Sequence, residues 1–197
     1  VIKNNFIENA TLGKNKWWQY ALSILATVIV VVIVNNAIRQ FLPSIKSWFP
    51  ANDFGKNLFT FSCIFLILAF GVQSFFEEIV VRGYLLQGLH LHIKNLALLV
   101  IINSLIFGLL HFGYGLDSFL SSWMLGIAFA IIVIIQNRIE FVSGAHNANN
   151  LSLALVFVDL SKAINEQFSW AINWINFIFY MVALLLLVGF VIKFLKK

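Results

Sequence analysis

Two adjacent carboxylates, Glu77 and Glu78, close a stretch of chain that carries no other charge back to Lys56. An acidic side chain near the centre of a bilayer costs roughly 2.5–3.5 kcal/mol on insertion scales, so a pair of them needs a reason. Arg82 follows four residues after Glu78, on the same helical face, where it can neutralise that carboxylate. Glu77 lies about 100° round the helix and is less well placed for the arginine, which makes it the freer acid. The plainer reading is that these charges only mark the cytoplasmic end of a membrane span.

Further along, Asn103, Phe107 and His111 stand at i, i+4 and i+8, one stripe of one helix. A single histidine there could be a packing residue with one hydrogen bond. Its position argues for more. Glu77 precedes Lys94 by 17 residues and His111 follows it by 17. If Ile93, Lys94 and Asn95 form the tip of an antiparallel helical hairpin, both groups reach the same height, about 25 Å from the tip. His146 and Asn150 form a third polar pair, again i, i+4. Capping at a helix start accounts for Asn147 and Asn149, but not for a histidine and an asparagine sharing one face. His90 and His92 flank a leucine near the tip and read as surface or interfacial residues. Two chemistries suit the set. Glu77, His111 and His146 have the donor types of a zinc or other divalent site. Equally, a carboxylate shielded from bulk water can serve as general base near neutral pH, with imidazole and amide groups stabilising an oxyanion.

Helices must position these groups, and the composition says of what kind. Hydrophobic residues make up 61% of the 197 and charged residues 11%, with a mean hydropathy of +0.92. So few charges cannot cover a soluble domain of this length. The fold class expected is all-α, a polytopic transmembrane bundle of about six helices in a single membrane domain, 1–197. Windows 17–38, 57–76, 95–116, 118–137 and 167–192 are free of charge, each long enough to cross the hydrocarbon core. Trp17, Trp18, Tyr20 and Trp170 open the first and last of these as an interfacial belt. The window 141–158 is the weakest, because its first half is too polar for lipid and must face protein or water. Arg138 precedes His146 by only eight residues. Ser143, Gly144 and Ala145 are therefore expected to dip back into the protein as a buried non-helical stretch. Both prolines, Pro43 and Pro50, fall between the first two windows.

The net charge of +5 does not indicate nucleic acid, since the basic residues sit between apolar runs, where orientation in a membrane explains them. With both termini cytoplasmic, Lys3, Lys14, Lys16, Arg82, Lys94, Arg138, Lys193, Lys196 and Lys197 lie inside. Arg39, Lys46, Lys56 and Lys162 lie outside. Cys63 is the lone cysteine, so no intrachain disulfide is expected. The first residue is Val1, so the native start is expected to be missing, and no cleavable signal peptide is read.

Three motifs now stand in order on successive apolar segments: EExxxRG at 77–83, FxxxH at 107–111 and HxxxN at 146–150. Together they resemble the CPBP family, also called Abi, which includes the Ras-converting CAAX proteases and bacterial proteins linked to bacteriocin self-immunity. The match covers roughly 73–159, and no motif position departs from the pattern. The resemblance implies an intramembrane endopeptidase in which Glu77 activates the attacking water, assisted by His111. His146 and Asn150 would form the oxyanion site, and Glu78 and Arg82 would orient Glu77. The family has been described both as metalloproteases and as metal-free glutamate proteases; no cofactor is favoured here, with zinc as the alternative. Six spans make a small version of a fold that reaches eight in larger members, so the substrate-binding periphery differs.

The partners expected are the lipid bilayer and a peptide or lipidated peptide, with no nucleic acid. Two other functions fit less well. A non-catalytic immunity or scaffold protein would keep the fold for partner recognition, but loss of motif residues would have pointed there and none is lost. A carrier using Glu77, Glu78 and Arg82 as a relay is disfavoured by the lack of charge in the other spans. The heavy use of asparagine, isoleucine and lysine associates the chain with an AT-rich bacterial genome. Nothing in the sequence chooses among a prenylated C-terminal motif, a bacteriocin-type leader and a signalling peptide.

Overall fold

A computed structural model describes residues 18, 20–25, 61–153, 169–172 and 174–195. Within them all regular structure is helical, as an all-α bundle requires. The rest of the first window, the connection with Pro43 and Pro50, and residues 154–168 lie outside the described residues. Contacts divide the chain into two compact units. One holds Val1–Gly13, Glu78–Ile139 and Gln167–Lys197; the other holds Lys14–Glu77 and Glu140–Glu166.

Helix α1, Phe61–Glu78, gives way with no intervening loop to a π-helical segment, Ile79–Leu85, and then to α2, Leu86–His92. The acidic pair thus lies inside a continuous helical run and not at its end. Glu78 and Arg82 are 0% exposed inside this run. A π turn opens the backbone, and its carbonyls can take a second donor. Val81 O accepts both the Leu86 N–H and the Asn103 side-chain amide at 2.9 Å, while the Gln87 amide donates to Gly83 O. The helical run breaks at Ile93, Lys94 and Asn95, the predicted tip. There Asn95 caps α3, Leu96–Leu110, by accepting from the Leu98 N–H at 3.1 Å. Lys94 Nζ donates to His90 O at 3.0 Å, taking one of the last carbonyls of α2.

A short 3₁₀ turn, Phe112–Tyr114, leads through Gly115 into α4, Leu116–Gln136. Gly115 has φ 110°, a conformation open to glycine but not to L side chains. Helix α4 ends on Asn137 in the left-handed region, φ 56°, where asparagine is the common substitute for glycine. Among the described residues α4 is the one helix long and apolar enough by itself to cross a membrane; α3 and Tyr180–Phe194 are shorter apolar helices. Helices α3 and α4 approach closely over two glycines. A Cβ on Gly108 would stand 2.9 Å from Trp123 Cβ, and one on Gly126 would stand 3.0 Å from Ser104 Cβ. Small residues permit such contact where lipid offers no hydrophobic driving force between helices. Helix α6, Trp174–Phe190, also packs on α4. Its Ile178, Leu185 and Leu186 are exposed, as are Ile101, Leu109 and Leu110 of α3, an apolar surface of the kind that faces lipid.

In the second unit α5, Glu140–Ser152, is helical through Ser143, Gly144 and Ala145, so the expected non-helical dip is absent. The stretch is nonetheless buried, as is the whole of 140–148. Helix geometry satisfies the backbone internally, which a buried loop cannot do so simply. Close approach rather than irregular backbone brings this polar helix in. A Cβ on Gly144 would run into the Ser23 hydroxyl and lie 2.6 Å from Tyr20 O. Asn147, expected to cap a helix start, is instead 1% exposed within α5.

Replacing Gly108 by valine puts branched carbon against the Trp123 and Phe119 backbone. The expected outcome is a loss of about 1–3 kcal/mol, read as a lower unfolding midpoint in detergent. An unchanged midpoint would mean that α3 and α4 do not approach this closely.

Candidate active site

In the unit of Glu78 the site is built around one buried ion pair. Arg82 Nη1 lies 2.9 Å from Glu78 Oε1, with both side chains fully buried. The guanidinium carbon sits 4.4 Å from the Phe107 ring centroid and 5.7 Å from that of Phe129, distances at which the ring faces attract a cation. Arg82 Nη2 also points at Gly126 O, at a long 3.5 Å. Phe107 is thus more than a motif letter: it covers the arginine. One turn on, His111 closes α3. Its Nδ1 is 3.0 Å from Phe107 O, and a carbonyl can only accept, so Nδ1 carries the proton. Nε2 of the neutral ring is then the basic nitrogen. Asn103, first on the same stripe, is fully buried and serves the π turn through Val81 O.

In the other unit α1 and α5 bring Glu77, His146 and Asn150 into one neighbourhood. His146 Nε2 lies 3.7 Å from Glu77 Oε2, the imidazole almost fully buried and the carboxylate 25% exposed. Glu77 Oε1 accepts from the Gln73 amide at 2.9 Å. Oε2 is shielded from solvent and makes no hydrogen bond among the described residues. Asn150 donates through Nδ2 to Ser74 Oγ at 3.4 Å and accepts at Oδ1 from Asn149 Nδ2 at 3.3 Å. Asn147 Nδ2 donates to the Tyr20 hydroxyl at 3.0 Å, across Gly71, where a Cβ would meet both groups at 3.3 Å.

The six sequence candidates therefore fall into two sets, Glu78, Arg82 and His111 in one unit and Glu77, His146 and Asn150 in the other. The freer carboxylate is Glu77: its contacts are an amide and an imidazole, whereas Glu78 holds the guanidinium. Among the described residues no group of three or more histidine, cysteine or acidic side chains gathers as metal ligands would. Glu77 and His146 supply two such donors. Sequence reasoning missed Gln73, Ser74, Tyr20 and Phe129. The i, i+4 rule that pairs Glu78 with Arg82 also finds Gln73 for Glu77; Tyr20 and Asn147, 127 residues apart, have no local signal.

No curated protein and no solved structure matches the chain. A family model does, that of the type II CAAX prenyl endopeptidases, Rce1-like, over residues 59–152. All six candidate residues and both ends of every motif fall inside that range. Over this stretch, which holds the ion pair, His111, His146 and the Asn150 amide, the chain is similar to the Rce1-like CAAX prenyl endopeptidases, a family of integral membrane proteases.

Proposed function

We propose that this protein hydrolyses a peptide bond of a membrane-associated or lipidated peptide, using Glu77 to activate water without a metal. One observation carries the reading. Glu77 Oε2 is shielded, lacks a hydrogen-bond donor among the described residues, and faces His146 Nε2 at 3.7 Å. A buried acceptor left open is a place for a water, and a carboxylate holding a water there is a general base in position.

The steps follow from donor and acceptor types. Glu77 accepts a proton from the water as its oxygen attacks the scissile carbonyl. His111, whose Nε2 is the basic nitrogen, assists in the role that the motif pattern gives it. Negative charge gathers on the carbonyl oxygen, and His146 and the Asn150 amide are the donors assigned to it. Glu77 then returns the proton to the leaving amine as the tetrahedral intermediate collapses. Glu78 and Arg82 take no proton; by the motif pattern they support and orient Glu77. The reading covers either CAAX-type processing or bacteriocin maturation or self-immunity, in a multi-pass protein of a bacterial cell membrane with both termini cytoplasmic.

Glu77→Gln keeps shape and hydrogen bonding but cannot accept the proton. Cleavage of a farnesylated CAAX reporter peptide in detergent micelles should fall by about 10²–10⁴, with membrane insertion unchanged. Full activity in that variant overturns the mechanism. A protective phenotype that survives the same change, with no cleavage to lose, would point instead to a non-catalytic immunity or scaffold role. Asn150→Ala should lower kcat by about 10²–10³, the cost of one oxyanion donor. Dialysis against phenanthroline, a zinc chelator, should leave turnover intact. Loss of turnover restored by added zinc would reassign Glu77 and the histidines as ligands.

A further inference from the structure

The turn of α1 that precedes the acidic motif holds two side chains to which no role has been given. Gln73 is exposed, yet its amide donates to Glu77 Oε1 at 2.9 Å. Ser74 is 0% exposed, and its hydroxyl lies 3.4 Å from Asn150 Nδ2. Being adjacent on one helix, they reach a base on their own helix and an amide on α5.

A glutamate side chain has three rotatable bonds and, on an exposed helix face, samples several rotamers. An amide bond to one carboxylate oxygen removes most of that freedom. With Oε1 taken by Gln73, the oxygen turned toward His146 is Oε2, the one without a donor. The effect on Asn150 is similar. A side-chain amide has two N–H groups and one carbonyl. Asn149 occupies the carbonyl at 3.3 Å and Ser74 takes one N–H, so the ring of contacts fixes the plane of the amide and leaves one N–H to donate.

We infer that Gln73 and Ser74 are positioning residues, Gln73 aiming the Glu77 carboxylate and Ser74 aiming the Asn150 amide from a single helical turn outside the three motifs. The inference rests on the hydrolytic reading of Glu77 and adds to it where the precision of the site comes from. Catalytic groups act through a narrow range of geometries, and loss of aim lowers turnover without loosening substrate binding.

The test uses the full chain in detergent micelles with the farnesylated CAAX reporter peptide, and Glu77→Gln is run beside the new variants. Gln73→Met keeps length and lacks the donor; Ser74→Ala removes the hydroxyl and leaves less volume to accommodate. Each should lower kcat about tenfold, with KM within about twofold and the unfolding midpoint unchanged. In the Asn150→Ala background, Ser74→Ala should add nothing further, because its effect passes through that amide. Unchanged kcat in both single variants while Glu77→Gln is inactive would overturn the positioning role and leave the hydrolytic reading standing. Raised KM with unchanged kcat would also overturn it, making these residues substrate contacts. An active Glu77→Gln would remove the hydrolytic reading, and this inference with it.

Discussion

A charge that cannot reach water must find its opposite, and that constraint organises the unit around Arg82. Removing an ion from water costs several kcal/mol even after the protein relaxes, and the partner charge repays it only with good geometry and further contacts. Glu78 supplies the opposite charge at 2.9 Å, Phe107 and Phe129 supply ring faces, and Gly126 O lies within reach. Each of these contacts places a demand on another element. Phe107 fixes the register of α3 against the π turn, and Phe129 and Gly126 fix that of α4. The absence of a side chain at Gly126 lets α4 approach Ser104 so closely that an added Cβ would stand 3.0 Å from Ser104 Cβ. Asn103 then ties α3 to Val81 O, one residue before the arginine. The helices are thus registered by a polar centre rather than by apolar packing, which gives little preference between registers when lipid is as apolar as the interface.

A second device works in the unit of Glu77. Helix α5 is short and rich in asparagine, yet buried along 140–148. A buried amide without partners costs about 1–3 kcal/mol, so the helix is held where its amides are met: Asn147 at the Tyr20 hydroxyl, Asn150 at Ser74. Gly71 and Gly144 clear the space for that approach. In the proposed mechanism the same bonds give the pre-organisation that oxyanion donors need, since donors already fixed do not have to reorient as charge develops. Structural satisfaction and the proposed catalytic aim then rest on the same hydrogen bonds.

What could be read in the sequence follows the range of each interaction. The Glu78–Arg82 pair is four residues apart, and helical periodicity finds it. The tip at Ile93–Asn95 is legible because a lone lysine and a capping asparagine interrupt two apolar stretches. Near-equal spacing about Lys94, 12 residues back and 13 on, also places Arg82 opposite Phe107, and the ring lies 4.4 Å from the guanidinium. The π turn was not legible. Ile79, Val80 and Val81 carry no signal that separates a π from an α turn, and the wide turn depends on Asn103 from another helix. The helical course of Ser143–Ala145 was missed for a related reason: a step of only eight positions from Arg138 to His146 suggested a loop, because nothing local showed that glycines would let a polar helix be buried. Asn147 looked like a cap because its partner, Tyr20, is remote in sequence. Gln73 is a different case. It lay within reach of the rule already in use, but without a charge it drew no notice.

The two glutamates, one residue apart, end in opposite circumstances, and helical geometry is the cause. A step of one residue turns a side chain by about 100°, enough to carry Glu78 into the aromatic surroundings of Arg82 and to leave Glu77 beside Gln73 and His146. Glu78 is wholly buried and bound to a permanent cation; Glu77 keeps a quarter of its side-chain surface open. The Glu78 carboxylate is committed to the guanidinium, because withdrawing it would strand the cation in a dry site. Glu77 has no such obligation. In the proposed mechanism the division between structural acid and reactive acid thus follows from that one-residue turn of the helix as well as from the motif.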